Sequence, residues 1–464
     1  LVSTIPPSTA AAWTSILSGV NPGKHGIFYF EQLFPNENRI RMVSSLDILT
    51  PRAHEILAMN NKRSIAINLP YSIPSIISKN CIIVKDWLSQ SKVSVIGPSD
   101  IKEFFNDYPF VGIGPYINSV YDLNLYLDTL LSECIKRINI LMDFLLHRVQ
   151  DSFDFMFVLF SEPDWLQHKF LLNILTGSGK YVRKIYAIYN MIDNFIGFTM
   201  KELADEQTLV IITSDHGFEY YVKEFRLSSY LQSIGILKHN NILERFASKT
   251  PLNYAIDVLR FIKERTPLGM ALKLHLKKGR RGISPNSGIV LIPYGIYVLR
   301  PQESLIYNLK RFLQGAPYKP FIRVWLRSEI YKGPSFSMSR LPDIVYLPNE
   351  ARRIYVVPSK VGRVTWPSNI YDHSIFGVTL VHHEKLTEMG YTYKSGTFNT
   401  CTAYDILPTV LAYLNIPLPA NIDGKVLNEV KPLVPSKIRF RDYRGIWSRI
   451  RRLKIRTMKT RMVY

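Results

Sequence analysis

Two acid–imidazole pairs lie just beyond apolar, strand-like runs of this chain. Asp215-His216-Gly217 follows the β-branched stretch Thr208–Thr213, and Asp164 and His168 follow the run Phe153–Phe160, in what reads as a loop. Carboxylate oxygens and imidazole nitrogens are metal ligands, and open α/β sheets bind ligands beyond the carboxyl ends of their strands. Two such pairs therefore point to a two-metal site. Taken alone, each pair is as readily a turn or a helix cap, because Asp favours both positions; the argument rests on both pairs falling at strand ends.

Positioning them requires a sheet, and the patterning supplies one. Strands are expected near Ser64–Asn68, Cys81–Val84, Asp154–Phe160 and Leu209–Thr213. Between them, Leu and Ile recur at three- and four-residue spacing from about Tyr121 to Val149 and again from Tyr181 to Leu203, the period of long amphipathic helices. Strands joined through helices imply right-handed crossovers and a doubly wound, mostly parallel sheet flanked by helices. After His216 the alternation is lost. That region holds an amphipathic segment at Leu252–Arg265, a basic loop Lys277–Arg281 and a strand-like run Gly288–Ile292, and Ala403–Leu414 then reads as helix. The expected organisation is a first core segment over 1–228, an inserted cap over 229–354, a second core segment over 355–430 and a basic tail over 431–464.

The chain has 464 residues, 47% of them apolar and 20% charged, an ordinary globular composition with room for one large domain or two. No apolar run reaches the roughly 20 residues that span a bilayer, so a soluble chain is expected. The sequence opens at Leu1, already among motif residues, and a further strand is expected upstream. Cys81, Cys134 and Cys401 show no close spacing, which excludes a disulfide framework or a thiolate metal knuckle and leans slightly toward the cytoplasm. Net charge is +21, with a large share in the tail, where eleven Lys and Arg from Lys437 to Arg461 face only Asp442. Such a polycation is either a solvated terminus or a contact for an anionic polymer or membrane surface. No zinc finger, RNA-recognition signature or basic-zipper heptad accompanies it.

A third constellation opens the chain. Pro6-Pro-Ser-Thr-Ala-Ala-Ala-Trp-Thr-Ser-Ile-Leu-Ser-Gly19, followed by Asn21-Pro-Gly-Lys-His-Gly26, reads as a loop opening a short helix that stops at Gly19. Thr9 falls at its start, where free N–H groups and the helix dipole suit a bound phosphate and an attacking alkoxide. Ser8 or Thr9 could equally be a plain helix cap.

The ordered set Thr-x-x-x-Trp, Asn-Pro-Gly-Lys-His-Gly-Ile-Phe, Asp164-x-x-x-His168, Ser214-Asp-His-Gly217 and Asp372-His373 resembles the motifs of type I phosphodiesterases and nucleotide pyrophosphatases of the alkaline phosphatase superfamily. The resemblance extends through Leu341-Pro-Asp343 and the segment from Asp405 to Gly424, weakens in the cap and is absent from the tail. It implies that Thr9 is the nucleophile of a hydrolase of phosphodiester or pyrophosphate bonds. It further implies that Asp164, His168 and His373 hold one metal ion, while Asp215, His216 and Thr9 hold a second. Oxygen and imidazole ligands without cysteine suit Zn²⁺ first, with Mn²⁺ or Fe²⁺ as alternatives. The expected substrate is a phosphorylated small molecule or a nucleotide-like ester.

Two positions depart from the pattern. The family's second metal takes a further Asp from the first strand, but no acid precedes Glu31, so that ligand is expected upstream. Phe30 stands where an asparagine would bind a phosphate oxygen, and Lys24 or cap residues are candidates to replace that donor. The sister reading is a phosphomonoesterase of the same superfamily, and a non-enzymatic anion-binding protein is the remaining alternative. Sulfatase chemistry is disfavoured because Thr9 is followed by Ala10-Ala-Ala12 rather than a Cys/Ser-x-Pro-x-Arg context, and a mutase would place a serine at this position. His25 is expected to order its loop by hydrogen bonding, and His382 and His383 match no ligand position. His54, His147, His239 and His275 are expected to be surface or satisfied core residues.

Overall fold

A computed structural model describes residues 1–89, 92–110, 122–149, 153–237, 283–284, 288–358, 363–390 and 401–461. The amphipathic segment Leu252–Arg265, the loop Lys277–Arg281, His239 and His275 lie outside them. The chain divides into two compact units, one of Leu1–Phe30, Met42–Gly217 and Ile375–Tyr464, the other of Glu31–Arg41 and Phe218–Ser374.

The first unit is built on a four-stranded sheet in the order Val95–Ile96, Cys81–Lys85, Ser64–Leu69, Phe155–Val158. Ser64–Leu69 pairs in parallel with both neighbours, and the Val95–Ile96 edge is antiparallel. All six residues of Ser64–Leu69 are buried, as expected of a strand covered on both faces. Its side chains alternate accordingly. Ile65 and Ile67 join a core with the helices Leu123–His147, Glu162–Thr176 and Val182–Glu202, whereas Ala66 and Leu69 pack with Ile56, Leu57, Leu407 and Leu411 on the opposite face. A bulge at Asn68, whose φ is +55°, resets the parity so that Leu69 follows Ala66 to the same face. The doubly wound arrangement expected from the alternating elements is thus present. Val210–Thr213 pairs antiparallel with Thr379–His382.

The second unit contains a five-stranded antiparallel sheet built on Phe321–Leu326, Ile344–Pro348, Gly295–Val298, Ile289–Ile292 and Ile283–Ser284, and a three-stranded sheet in which Gly217–Arg226 lies between Ile354–Val357 and Thr365–Ser374. No helix among the described residues is long and apolar enough to cross a membrane.

Candidate active site

Thr9 is the first residue of the helix Thr9–Ser18. Ala10, Ala11 and Ala12 behind it are fully buried, so the small side chains let the helix start press into the core while Thr9 stays partly accessible. Ser8 occupies the cap position but makes no side-chain capping bond. Its hydroxyl is buried with no hydrogen-bond partner. The helix ends at Gly19, with φ +67° and its N–H donating to the Ser15 carbonyl, as the sequence led us to expect.

Asp164 and His168 do not lie in a loop. They occupy the first two turns of the helix Glu162–Thr176, which begins directly after the strand Phe155–Val158, with Pro163 at its start. Proline pre-sets the helical φ and has no N–H to leave unpaired there, which starts the helix before the acid rather than after it. The four-residue spacing then puts both side chains on one helical face, with His168 Nε2 3.7 Å from Asp164 Oδ1.

Ser214 and Asp215 are held by the strand end. The Ser214 N–H donates to the Val378 carbonyl at 3.0 Å, the Val378 N–H donates to Ser214 Oγ at 2.9 Å, and Ser3 Oγ donates to the Asp215 carbonyl. Gly217 is required where it stands, because a Cβ there would come within 1.8 Å of the Phe376 carbonyl oxygen. Backbone cannot yield as a flexible side chain can. Gly217→Ala should therefore lower stability by about 2–4 kcal/mol, read from the denaturant midpoint, and a wild-type midpoint would refute this packing.

His216 joins the pieces. Its side chain is 2% exposed, and Nδ1 lies 3.1 Å from the Gly217 carbonyl, an acceptor only. Nδ1 therefore carries a proton, and Nε2 faces Thr9 Oγ1 at 3.3 Å, Asp215 Oδ2 at 3.3 Å and Asp164 Oδ1 at 3.8 Å. Two carboxylate oxygens beside an imidazole nitrogen are stabilised by a proton on that nitrogen or by a cation among them. Asp164 Oδ1 and His216 Nε2, 3.8 Å apart, are close enough to share a metal ion. The donor set fits a divalent ion, and the Gly217 carbonyl is the kind of partner that fixes a histidine ligand's tautomer. Nothing in the residue type of Gly217 announced that role.

His373, buried, is the penultimate residue of the strand Thr365–Ser374 in the second unit, its ring 5.3 Å from Phe218 in an edge-on contact. His382 sits in the strand paired with Val210, and His383 caps the helix Glu384–Glu388 while contacting the Tyr413 hydroxyl at 2.8 Å.

The loop after Gly19 is internally satisfied. The Ile27 N–H donates to His25 Nδ1 at 3.1 Å, so Nε2 carries the proton and donates to Ser15 Oγ at 2.9 Å. Burial holds the His25 pKa down to about 3, and His54 is likewise pushed well below the ordinary value by burial and then by Arg52. Both are neutral when folded, whereas the unfolded chain takes up protons near pH 6.5, so stability falls as the pH drops from about 6.5 toward 3. His25 contributes roughly 1.4 kcal/mol per pH unit in that window, and His54 acts in the same direction. His25→Gln should flatten the dependence of the unfolding midpoint on pH; an unchanged slope would contradict the neutral assignment.

Lys24 is engaged by residues distant in sequence. Its ammonium pairs with Asp423 and donates to the Asn421 carbonyl at 2.7 Å, while the Asn21 N–H and side-chain amide both donate to Asp423 Oδ2 at 2.8 Å. Phe30 instead faces Trp87, with centroids 6.2 Å apart, and Trp87 meets Trp165 at 6.3 Å. This aromatic row, reaching to the residue after Asp164, had no signal in the sequence.

A nucleophile candidate at a helix start, with acids and imidazoles gathered at strand ends of a doubly wound sheet, is the layout of a metal-dependent phosphoester hydrolase. The sequence profile of the type I phosphodiesterase / nucleotide pyrophosphatase family matches residues 1–360, and the chain belongs to that family of hydrolases. Among solved structures, an inactive form of murine ectonucleotide pyrophosphatase / phosphodiesterase 5 in complex with AMP matches with a TM-score of 0.53 at 12% identity, over 94% of this chain and 90% of that one. Human ectonucleotide pyrophosphatase / phosphodiesterase 5 matches at 0.50 and 12% over the same shares. Wild-type alkaline phosphatase PafA matches at 0.51 and 15%, over 92% of this chain and 90% of that one. At such identities the likeness is one of fold. No curated protein sequence matches the chain.

Proposed function

We propose that the chain hydrolyses phosphodiester or pyrophosphate bonds of a phosphorylated small molecule or nucleotide-like ester, with Thr9 as nucleophile. Asp164, His168 and His373 would hold one divalent ion and Thr9, Asp215 and His216 a second, Zn²⁺ in the first place. The observation that carries the proposal is the Thr9 hydroxyl, partly accessible at a helix start and 3.3 Å from Nε2 of His216. When bound, such ions lower the pKa of a hydroxyl and neutralise charge that builds on the phosphoryl oxygens.

The chain's own residues do the rest. The N–H groups that open the helix Thr9–Ser18 face a phosphoryl oxygen at the positive end of the helix dipole. His216, with Nδ1 against the Gly217 carbonyl, presents Nε2 beside the Thr9 hydroxyl, so that both would reach the same ion. Thr9 Oγ attacks phosphorus and loses its proton to solvent while the P–O bond to the alkoxide or phosphate leaving group breaks, leaving Thr9 esterified to the phosphoryl group with its remaining substituent. Water then attacks the same phosphorus and frees Thr9. Phe30, tilted against Trp87, offers a phosphoryl oxygen no hydrogen bond and favours an apolar or aromatic substituent on the ester.

Bis-p-nitrophenyl phosphate and p-nitrophenyl phosphate, assayed side by side, test the reading. Diester turnover should exceed monoester turnover, vanish with chelator and return with Zn²⁺ or Mn²⁺. Turnover by the metal-free chain would refute the metal reading, and a preference for the monoester would move the chain to the phosphomonoesterase class.

A further inference from the structure

The basic tail ends in one long helix, Arg444–Arg461, and its two faces differ in kind. One face is docked on the first unit. Trp447 and Tyr443 are 2% and 1% exposed, the Tyr443 hydroxyl bonds with Asn60 at 3.0 Å and with the Pro417 carbonyl at 2.9 Å, and Arg451 and Lys454 donate to the carbonyls of Leu46 and Ser75. The other face carries Ile446, Arg449, Arg452, Leu453 and Arg456, all exposed, at the three- and four-residue spacing of one helical surface. Ile446 is 44% exposed and Leu453 64%, and Phe440, 62% exposed between Arg439 and Arg441, precedes the helix. After Glu429 the only acid is Asp442.

We propose that this face docks on the surface of an anionic lipid bilayer. Arginines alone would suit any polyanion, nucleic acid included. Large aliphatic side chains standing between them do not, since a phosphate backbone offers nothing to bury Leu453 or Ile446 against. At a bilayer interface the aliphatic and aromatic groups enter the acyl boundary while the guanidinium groups reach the headgroups, the pattern of an interfacial amphipathic helix. The docked face fixes the helix to the enzyme, so the whole first unit is carried to the membrane.

Vesicle co-sedimentation of the full chain tests this, with pure phosphatidylcholine vesicles against vesicles containing phosphatidylglycerol, and a single-stranded oligonucleotide as competitor. The full chain should bind the anionic vesicles and not the neutral ones. Ile446→Gln with Leu453→Gln should weaken that binding about tenfold or more, as should Arg449→Gln, Arg452→Gln and Arg456→Gln together. Hydrolysis of a small soluble ester should be unchanged in both variants, which excludes misfolding. Absence of vesicle binding at low salt, wild-type binding by the Ile446/Leu453 variant, or displacement of the vesicles by the oligonucleotide would each overturn the proposal; the last two would point to a nucleic acid or an acidic protein.

Discussion

Thr9→Ala should reduce hydrolysis of bis-p-nitrophenyl phosphate by about 10³-fold or more, equivalent to roughly 4 kcal/mol of transition-state stabilisation. The hydroxyl is the attacking group in the proposed mechanism, so its loss removes a step rather than weakening a contact. The substitution should leave the fold intact, because Thr9 opens a helix whose following turn, Ala10 to Ala12, is buried independently of it, and because alanine favours the helix. Unchanged thermal unfolding with lost turnover is the expected pair of results. Thr9→Ser, which keeps an attacking hydroxyl, should retain most of the activity. Retained turnover in the alanine variant would mean that water attacks directly and that Thr9 only lines the site.

Arg137→Met should destabilise the first unit by about 3–5 kcal/mol, the cost of leaving a buried charge without its partner. Arg137, on the helix Leu123–His147, pairs with Glu162 and donates to the Pro109 carbonyl at 2.9 Å, and both side chains of the pair are almost wholly buried. Glu162 opens the helix that carries Asp164, so the pair anchors the turn that presents a proposed metal ligand. Adding Glu162→Gln to Arg137→Met removes the orphaned charge and should recover a large part of the stability. Denaturant midpoints of both single variants and the double variant decide the matter. Additive losses would show that the pair is not coupled and that the buried charge is satisfied elsewhere.

Much of this architecture was legible in the residues. The period-3.6 stretches became Leu123–His147 and Val182–Glu202, and the apolar runs became Ser64–Leu69, Cys81–Lys85, Phe155–Val158 and Val210–Thr213. Those signals are strong because each element buries a face whose period differs from that of any competitor. Gly19 and His25 were equally readable, one as the residue type most at ease with φ +67°, the other as an imidazole in a loop that needs internal partners. What failed was local punctuation around Asp164. Asp164 and His168 sit beyond an apolar run, where a loop is the simplest expectation, but Glu162-Pro163 is a helix-starting signal, and the helix form is what aligns Asp164 with His168.

Other features depend on contacts distant in sequence and left no local trace. Asp423 reaches back about four hundred residues to hold Asn21 and Lys24. Phe30, just before the strand Glu31–Phe34, and Trp87, just after Cys81–Lys85, meet only in the fold, and the Gly217 carbonyl places a proton on His216 Nδ1 by geometry alone. The residue types of the site could thus be listed from the sequence, while their orientation required the fold.

The central claim is a covalent ester at Thr9. The most direct measurement is rapid acid quench of the Zn²⁺-loaded chain during turnover of bis-p-nitrophenyl phosphate, followed by proteolysis and mass spectrometry of the peptide containing Thr9. The account predicts a phosphoryl ester on Thr9 that appears with the first turnover and disappears once substrate is exhausted. A catalytically active chain whose Thr9 peptide stays unmodified throughout, or which carries the ester on another residue, would contradict it.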